Sequence, residues 1–384
     1  MIKTILLLTP VYVTLFWAIA LNTNANKFGV PRLFLGKFMI CAFIVYFSHF
    51  LFFSPFPNIY YYLDPLYQYA SLLVFPLYYI YFRLLTIDEK FSFKVHFRYL
   101  AIPSILFTLY IIGILFVPIS IFKEWIFDRS LYSTTPAIRF LNVIYILMRI
   151  VFLIQVVSTV VGNYYLIKKH GDKALQYYSD LEDSSTKKVT ILNTSMIITG
   201  LASLVLASLG KDFFQHEITG IALASVTFST LLFIIGWLGD LQKALNPTFN
   251  TNTDVTAESK LEVLTLSAEN KILDKVLLLF TVQKVYLDSK LTIQDIAQMV
   301  GTNRTYISSI LNKHFNQNFC SIVNNFRIQE LETLIQSHPE YTNQQLAELC
   351  GFGSVDSLKR AVSSKTTYIF QDWKKMLTNN NENM

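Results

Sequence analysis

Two sets of side chains in this sequence are marked out by type and spacing, and neither belongs to a recognisable enzyme site. The first lies near the C-terminal end. Arg304, Thr305, Ser308, Ser309, Asn312 and Lys313 are expected on the outward face of one helix, and Asp356, Ser357, Lys359 and Arg360 on that of a second. Short polar and basic side chains along one helix face mark it as the outer face, opposite the apolar one that packs inward. The second set is scattered through long apolar runs: His49, Asn142, Arg149, Gln155 and Asn193. A charge such as Arg149 inside an apolar run is costly and faces a cavity, a partner or water. For the neutral members the competing reading is an interhelical hydrogen bond that only holds a bundle together. No phosphate-binding glycine loop, nucleophile elbow or metal-ligand spacing occurs, so no catalytic residue, metal or cofactor is expected. Cys41, Cys320 and Cys350 lie far apart and read as small buried hydrophobes.

The elements that must position the first set are legible as a repeat. Leu291 to Gly301 places Ile293, Ile296, Ala297 and Val300 at the i, i+3, i+4, i+7 spacing of an amphipathic helix, closed by a glycine. Asn303 is an expected N-cap for a following helix whose Ile307, Ile310 and Leu311 face inward. Fifty residues later the pattern recurs, with Thr292/Thr342, Gln294/Gln344, Ile296/Leu346, Ala297/Ala347 and Gly301/Gly351 in register. The helix after it runs from about Ser354 to Ser364, with Leu358, Ala361 and Val362 inward. An amphipathic stretch, Phe319 to about Gln336, lies between the repeats with Ile322, Phe326, Leu331 and Ile335 as its apolar positions. Helix, glycine turn and polar-faced helix make a helix-turn-helix, here expected twice with a helical spacer.

The second set sits in a different kind of sequence. Hydrophobic residues make up 53% of the 384 and charged residues 15%, where soluble chains carry about a quarter charged. Seven apolar stretches reach the roughly 20 residues a bilayer requires: Thr4–Leu21, Leu33–Phe53, Leu66–Leu85, Tyr99–Phe122, Ile138–Leu166, Val189–Leu209 and Ile218–Leu238. Pro10, Pro76, Pro103 and Pro118 fall within them, which membrane helices tolerate. The first stretch also has the form of a signal peptide, with Lys3 before it and Ala18-Ile19-Ala20 as a cleavage site. Basic residues favour seven spans instead. With the N-terminus outside, twelve (Lys27, Arg32, Lys37, Arg83, Lys90, Lys94, Arg98, Lys168, Lys169, Lys173, Lys187, Lys188) fall on the cytoplasmic side. Five (Lys3, Lys123, Arg129, Arg139, Lys211) fall opposite, as the positive-inside rule requires. Residues 1–244 are therefore expected to be a seven-span part in the cytoplasmic membrane. A polar linker over 245–268 and a cytoplasmic domain over 269–384 follow.

The C-terminal part resembles the AraC/XylS family of transcription regulators. The resemblance covers roughly Leu264 to Leu377. It rests on Tyr286-Leu287-Asp288, Leu291 to Ala297, Tyr306-Ile307-Ser308, Asn324-Asn325-Phe326-Arg327-Ile328, and Gly351-Phe352 with Ser354 and Arg360. Where that family usually has Phe-Lys, and later Gly and Thr-Pro, this chain has Val362-Ser363, Thr367 and Ile369-Phe370. The resemblance implies an all-α domain whose two second helices enter adjacent major grooves of double-stranded promoter DNA. It places Thr305, Ser308 and Ser309 at base edges, and Asp356, Ser357, Lys359 and Arg360 at bases or phosphates. From Glu269 onward twelve Lys and Arg stand against eleven Asp and Glu, so modest affinity helped by a homodimer or by membrane crowding is expected. The leading reading is a membrane-embedded regulator that couples an envelope or membrane signal, such as a small molecule or lipid, to promoter binding. The alternatives are a transporter or membrane enzyme with a fused regulatory domain, and a membrane anchor that senses nothing.

Overall fold

The computed structural model describes residues 2–23, 29–53, 57–88, 91–127, 135–180, 185–216, 218–241 and 266–382. Among them all regular structure is helical; the only extended pairing is an isolated bridge between Tyr178 and Thr292. Two compact units form, one from residues 1–167 with 188–247 and one from 168–187 with 248–384. The expected linker falls largely outside the described residues.

The first unit contains α1 (Ile2–Asn22), α2 (Val30–Phe53), α3 (Pro57–Thr86), α4 (Phe93–His96), α5 (Arg98–Leu115), α6 (Ile119–Phe127), most of α7 (Pro136–Tyr177), α8 (Ser185–His216) and α9 (Ile218–Leu241). Seven of these helices are long and apolar enough to cross a membrane, which marks a membrane protein. Their outer faces stay apolar: α7 exposes Val143, Ile146, Ile150, Leu153, Ile154 and Val157. Inside, aromatic side chains fill the space, with Phe38, Tyr78, Phe82, Tyr110 and Trp125 fully buried. Small residues let helices approach closely. A Cβ on Gly236 of α9 would lie 2.4 Å from the Trp17 ring of α1. Pro10, Pro76 and Pro103 lie within helices as expected.

Four spans differ from expectation by several residues, among them the third, which begins at Pro57 and not Leu66, and the sixth, which runs Ser185–His216 and not Val189–Leu209. The fourth ends at Leu115, not Phe122, and Pro118 lies outside the helix. Proline disfavours helical geometry at the residue before it, so the run of apolar residues breaks there despite its hydropathy. The fifth continues to Tyr177, 42 residues in all. At 1.5 Å per residue that is about 63 Å, twice the roughly 30 Å of a hydrocarbon core.

The second unit contains the end of α7, then α10 (Leu266–Thr281), a 3₁₀ turn (Val285–Leu287), α11 (Ile293–Val300), α12 (Arg304–Phe315), α13 (Phe319–Ser337), α14 (Asn343–Leu349), α15 (Val355–Thr366) and α16 (Phe370–Glu382). The repeat is present to the level of caps. Thr292 and Thr342 each close a capping box with the residue three later, Asp295 and Gln345. Asn303 accepts a hydrogen bond from the Tyr306 amide at 2.8 Å. Ala297 and Ala347 are buried in separate cores, and α13 contributes Ile322 and Val323 to the first and Ile328, Leu331 and Ile335 to the second. Phe326 of that helix is only partly buried.

Gly301 and Gly351 both sit in the left-handed region, at φ 79° and 77°, but they are not equivalent. A Cβ at Gly301 meets nothing, whereas one at Gly351 would lie 2.6 Å from the Leu287 carbonyl. Gly301→Ala should therefore cost about 1–2 kcal/mol, the left-handed penalty alone. Gly351→Ala should cost about 2–5 kcal/mol, because an overpacking penalty adds to it. Thr367, at φ 63°, occupies the same region without being glycine, so Thr367→Gly should stabilise by about 1 kcal/mol. Thermal unfolding of the three variants checks the order; equal losses for the two alanine variants would contradict it.

Candidate functional sites: a cavity in the first unit and the helix surface of the second

The first unit forms a partly open cavity of about 660 Å³. Its wall is mostly aliphatic and aromatic, from Phe38, Val45, Phe75, Phe152 and Phe228, with a few polar groups. His49 and Arg149 both line it, so two of the five expected intramembrane residues are brought to one space. His49 Nε2 lies 3.3 Å from the Tyr67 hydroxyl. The Arg149 guanidinium stacks over the Tyr145 ring at 5.6 Å and remains exposed on the bundle, with no carboxylate paired to it among the described residues.

The other three do not line it. Asn142 accepts a hydrogen bond from Trp125 Nε1 at 2.7 Å, a structural tie between α6 and α7. Gln155 Oε1 and Asn193 Oδ1 are buried with no hydrogen-bond partner among the described residues.

The structure adds a buried carboxylate that the sequence reading does not single out. Asp64 is fully buried and accepts from the Tyr60 hydroxyl at 3.0 Å, Gln68 Nε2 at 3.1 Å and the Tyr110 hydroxyl. Tyr60 and Gln68 also line the cavity. A signal is present in the spacing, since Tyr60, Asp64 and Gln68 follow at i, i+4, i+8 on one helix face. It is easily passed over because the apolar stretch starts only at Leu66, whereas α3 begins at Pro57.

On the second unit the expected DNA-facing residues lie on two separate helices. Thr305, Ser309, Asn312 and Lys313 of α12 are exposed, and Arg304 and Ser308 half-buried. Lys313 Nζ pairs with Glu269 at 2.8 Å, which anchors α12 to α10. On α15, Asp356, Lys359 and Arg360 are exposed, with Asp356 and Lys359 paired at 3.6 Å. Ser357 is a correction: its side chain faces inward, 9% exposed, and donates to Asp180 Oδ2 at 2.6 Å. The helical period puts it on the outer face only because the segment that covers it is remote in sequence.

That segment is Tyr177-Tyr178-Ser179-Asp180, where α7 ends within the second unit. The Arg304 guanidinium lies over the Tyr177 ring at 6.0 Å. Tyr178 forms the bridge with Thr292, and the Ser179 amide donates to the Leu291 carbonyl at 3.1 Å. Asp180 Oδ2 accepts from Ser357 and from the Gly353 amide at 2.8 Å. Four residues thus touch the start of both polar-faced helices.

Arg327 holds the segment from within. It is fully buried on α13, and its guanidinium donates to the Tyr286 carbonyl at 2.7 Å, the Asp288 carbonyl at 2.8 Å, the Ser179 carbonyl at 3.2 Å and the Ser179 hydroxyl at 3.1 Å. Burial pulls its pKa down to about 10, although nearby carboxylates, Asp180 foremost, oppose that. The Cys320 thiol donates to the same Ser179 carbonyl at 3.4 Å. Burial raises the Cys320 and Cys350 thiols to about 11 and about 12, which keeps both protonated.

Comparison with protein-family models, with curated proteins and with solved structures finds no match to this chain.

Proposed function

We propose that this chain is a membrane-embedded, sequence-specific DNA-binding regulator of the AraC/XylS type. The observation that carries the reading is the doubled unit: two capped helices, each closed by a left-handed glycine and followed by a polar-faced helix, joined by the 19-residue α13. A rigid spacer suits this task, because successive major-groove windows on one face of DNA lie about 34 Å apart. The bases would be read by Thr305, Ser308 and Ser309, and phosphates gripped by Lys359 and Arg360.

The seven-span topology with a cytoplasmic C-terminal domain draws support from connectivity. Residues 168–187 and 248–384 belong to one unit, so an even number of crossings must separate them, and two apolar helices do. Arg32 at the start of α2 and Asp240 at the end of α9 pair at 2.6 Å, and six of the seven apolar helices run from the one to the other, again an even number. The excess of basic residues on that common side supports a cytoplasmic location for it.

The cavity at His49 and Arg149 is the sensing site in this reading. Its aromatic and aliphatic wall suits a hydrocarbon tail, and the exposed Arg149 suits an anionic head. The occupant is therefore an amphipathic anion that partitions into the bilayer, a free long-chain carboxylate or the phosphate of a lipid.

Reporter fusions test the topology on which all of this depends. A reporter active only outside the cytoplasm should be silent after Leu241 and active at Asn58. Activity after Leu241 would put the helix-turn-helix pair on the wrong side of the membrane for chromosomal DNA.

A further inference from the structure

We infer that Asp180 is a built-in substitute for a DNA phosphate, and that the Tyr177–Asp180 segment holds the second unit in a state of reduced DNA affinity. The inference rests on the DNA-binding reading above and adds a mode of regulation to it.

The start of α15 presents two donors to one point: the Gly353 amide at 2.8 Å and the Ser357 hydroxyl at 2.6 Å from the same Asp180 oxygen. An amide and a hydroxyl at the N-terminal end of a 12-residue helix form an anion site, favoured further by the helix dipole. In a helix laid into a major groove, these are the groups that meet the phosphate backbone. Here a carboxylate from a distant stretch of chain meets them instead. A phosphate and the Asp180 carboxylate cannot share the site, since they need the same donors and repel each other.

The segment does more than fill that one position. Tyr177 lies under Arg304, the first residue of α12, and Tyr178 bridges to Thr292, the N-cap of α11. Both polar-faced helices are therefore engaged at their N-terminal ends by one short stretch. Its anchor, Arg327, bonds to Ser179, and those bonds stay in place when Asp180 is exchanged.

The segment follows directly on α7, the helix that carries Arg149 into the cavity.

The test uses the full-length chain in nanodiscs and a fluorescent duplex of mixed sequence, with affinity measured across a salt series. Asp180→Ala should tighten binding about fivefold or more and steepen the log–log salt slope by about 0.9, one added phosphate contact. Asp172→Ala removes an exposed charge from the same helix end and should leave the slope unchanged. Adding Ser357→Ala to Asp180→Ala should lose most of the gain.

A double-cysteine variant guards against a trivial loss of structure. A Cβ at Gly353 would lie 3.7 Å from Asp180 Cγ, so Asp180→Cys with Gly353→Cys is within reach of a crosslink. The oxidised protein should bind DNA more weakly than the same protein after reduction. Equal affinity and slope for wild type and Asp180→Ala would overturn the inference and leave the DNA-binding reading intact. Failure of every variant to retain duplex at low salt would overturn both.

Discussion

Arg327→Leu unfolds the second unit under conditions where the wild-type chain holds it folded. The substitution removes four hydrogen bonds donated by a buried charged group, to the carbonyls of Ser179, Tyr286 and Asp288 and to the Ser179 hydroxyl. The Ser179 carbonyl keeps the Cys320 thiol and the Asp288 carbonyl the Leu291 amide, but a hydrogen bond to a charged group is worth about 1.5–3 kcal/mol, so the total is still several kcal/mol. Domains are stable by only about 5–15 kcal/mol, which makes this loss a large fraction of the whole. Arg327→Lys should fall between the two, since one ammonium cannot reach all the acceptors on two separate stretches of chain as the guanidinium fork does. Hydrogen exchange of the full-length protein reads the effect segment by segment. Loss of protection over 285–337, together with release of the amides at 178–180, is expected. Wild-type protection in Arg327→Leu would mean that water or a rearranged backbone satisfies those carbonyls, and that the anchor described above is not one.

The second large effect lies in the membrane unit. Arg149→Gln should abolish discrimination between an anionic and a neutral amphiphile of equal chain length. A charge-assisted hydrogen bond is worth about 1.5–3 kcal/mol, so palmitate should bind wild type roughly tenfold to a hundredfold more tightly than it binds the variant. Hexadecanol should bind both alike, because the apolar wall of the cavity is unchanged. Arg149→Lys should keep most of the preference. The measurement is ligand binding to protein in zwitterionic nanodiscs, where no lipid carries a net charge. Repeating it with phosphatidate in the discs separates a free carboxylate from a lipid headgroup as the natural occupant. Equal palmitate affinity in wild type and Arg149→Gln would make Arg149 a structural residue.

The residues show what sequence can and cannot reveal here. The repeat is legible because each of its parts is local: Thr292 and Thr342 cap the helices that start at the next residue, and Gly301 and Gly351 close them nine residues after the caps. The apolar spans are legible because a bilayer imposes a length on each one separately. Where sequence and structure part, the deciding partner is distant or the local cue is overridden. Pro118 ends the fourth span that hydropathy alone would continue to Phe122. Asp64 lies just outside the apolar stretch that begins at Leu66. Ser357 has the position of an outward residue on its own helix, and only Asp180, 177 residues earlier, makes it a buried one. Arg327 is within reach of a sequence argument, because Val323 and Leu331, four residues to either side, are both buried and put it on the core face of α13. A cation in that stripe needs acceptors, although the stripe does not say that Ser179 supplies two of them.

The central claim is that this membrane protein reads DNA sequence, and selection from a randomised duplex library tests it most directly. The full-length chain in nanodiscs, and its Asp180→Ala variant so that a held state does not mask binding, would be taken through repeated rounds beside empty nanodiscs. The expected outcome is one recovered motif with two conserved windows about 10 base pairs apart, the spacing of adjacent major grooves. Sequences from both proteins that are indistinguishable from those recovered with empty nanodiscs would contradict the account.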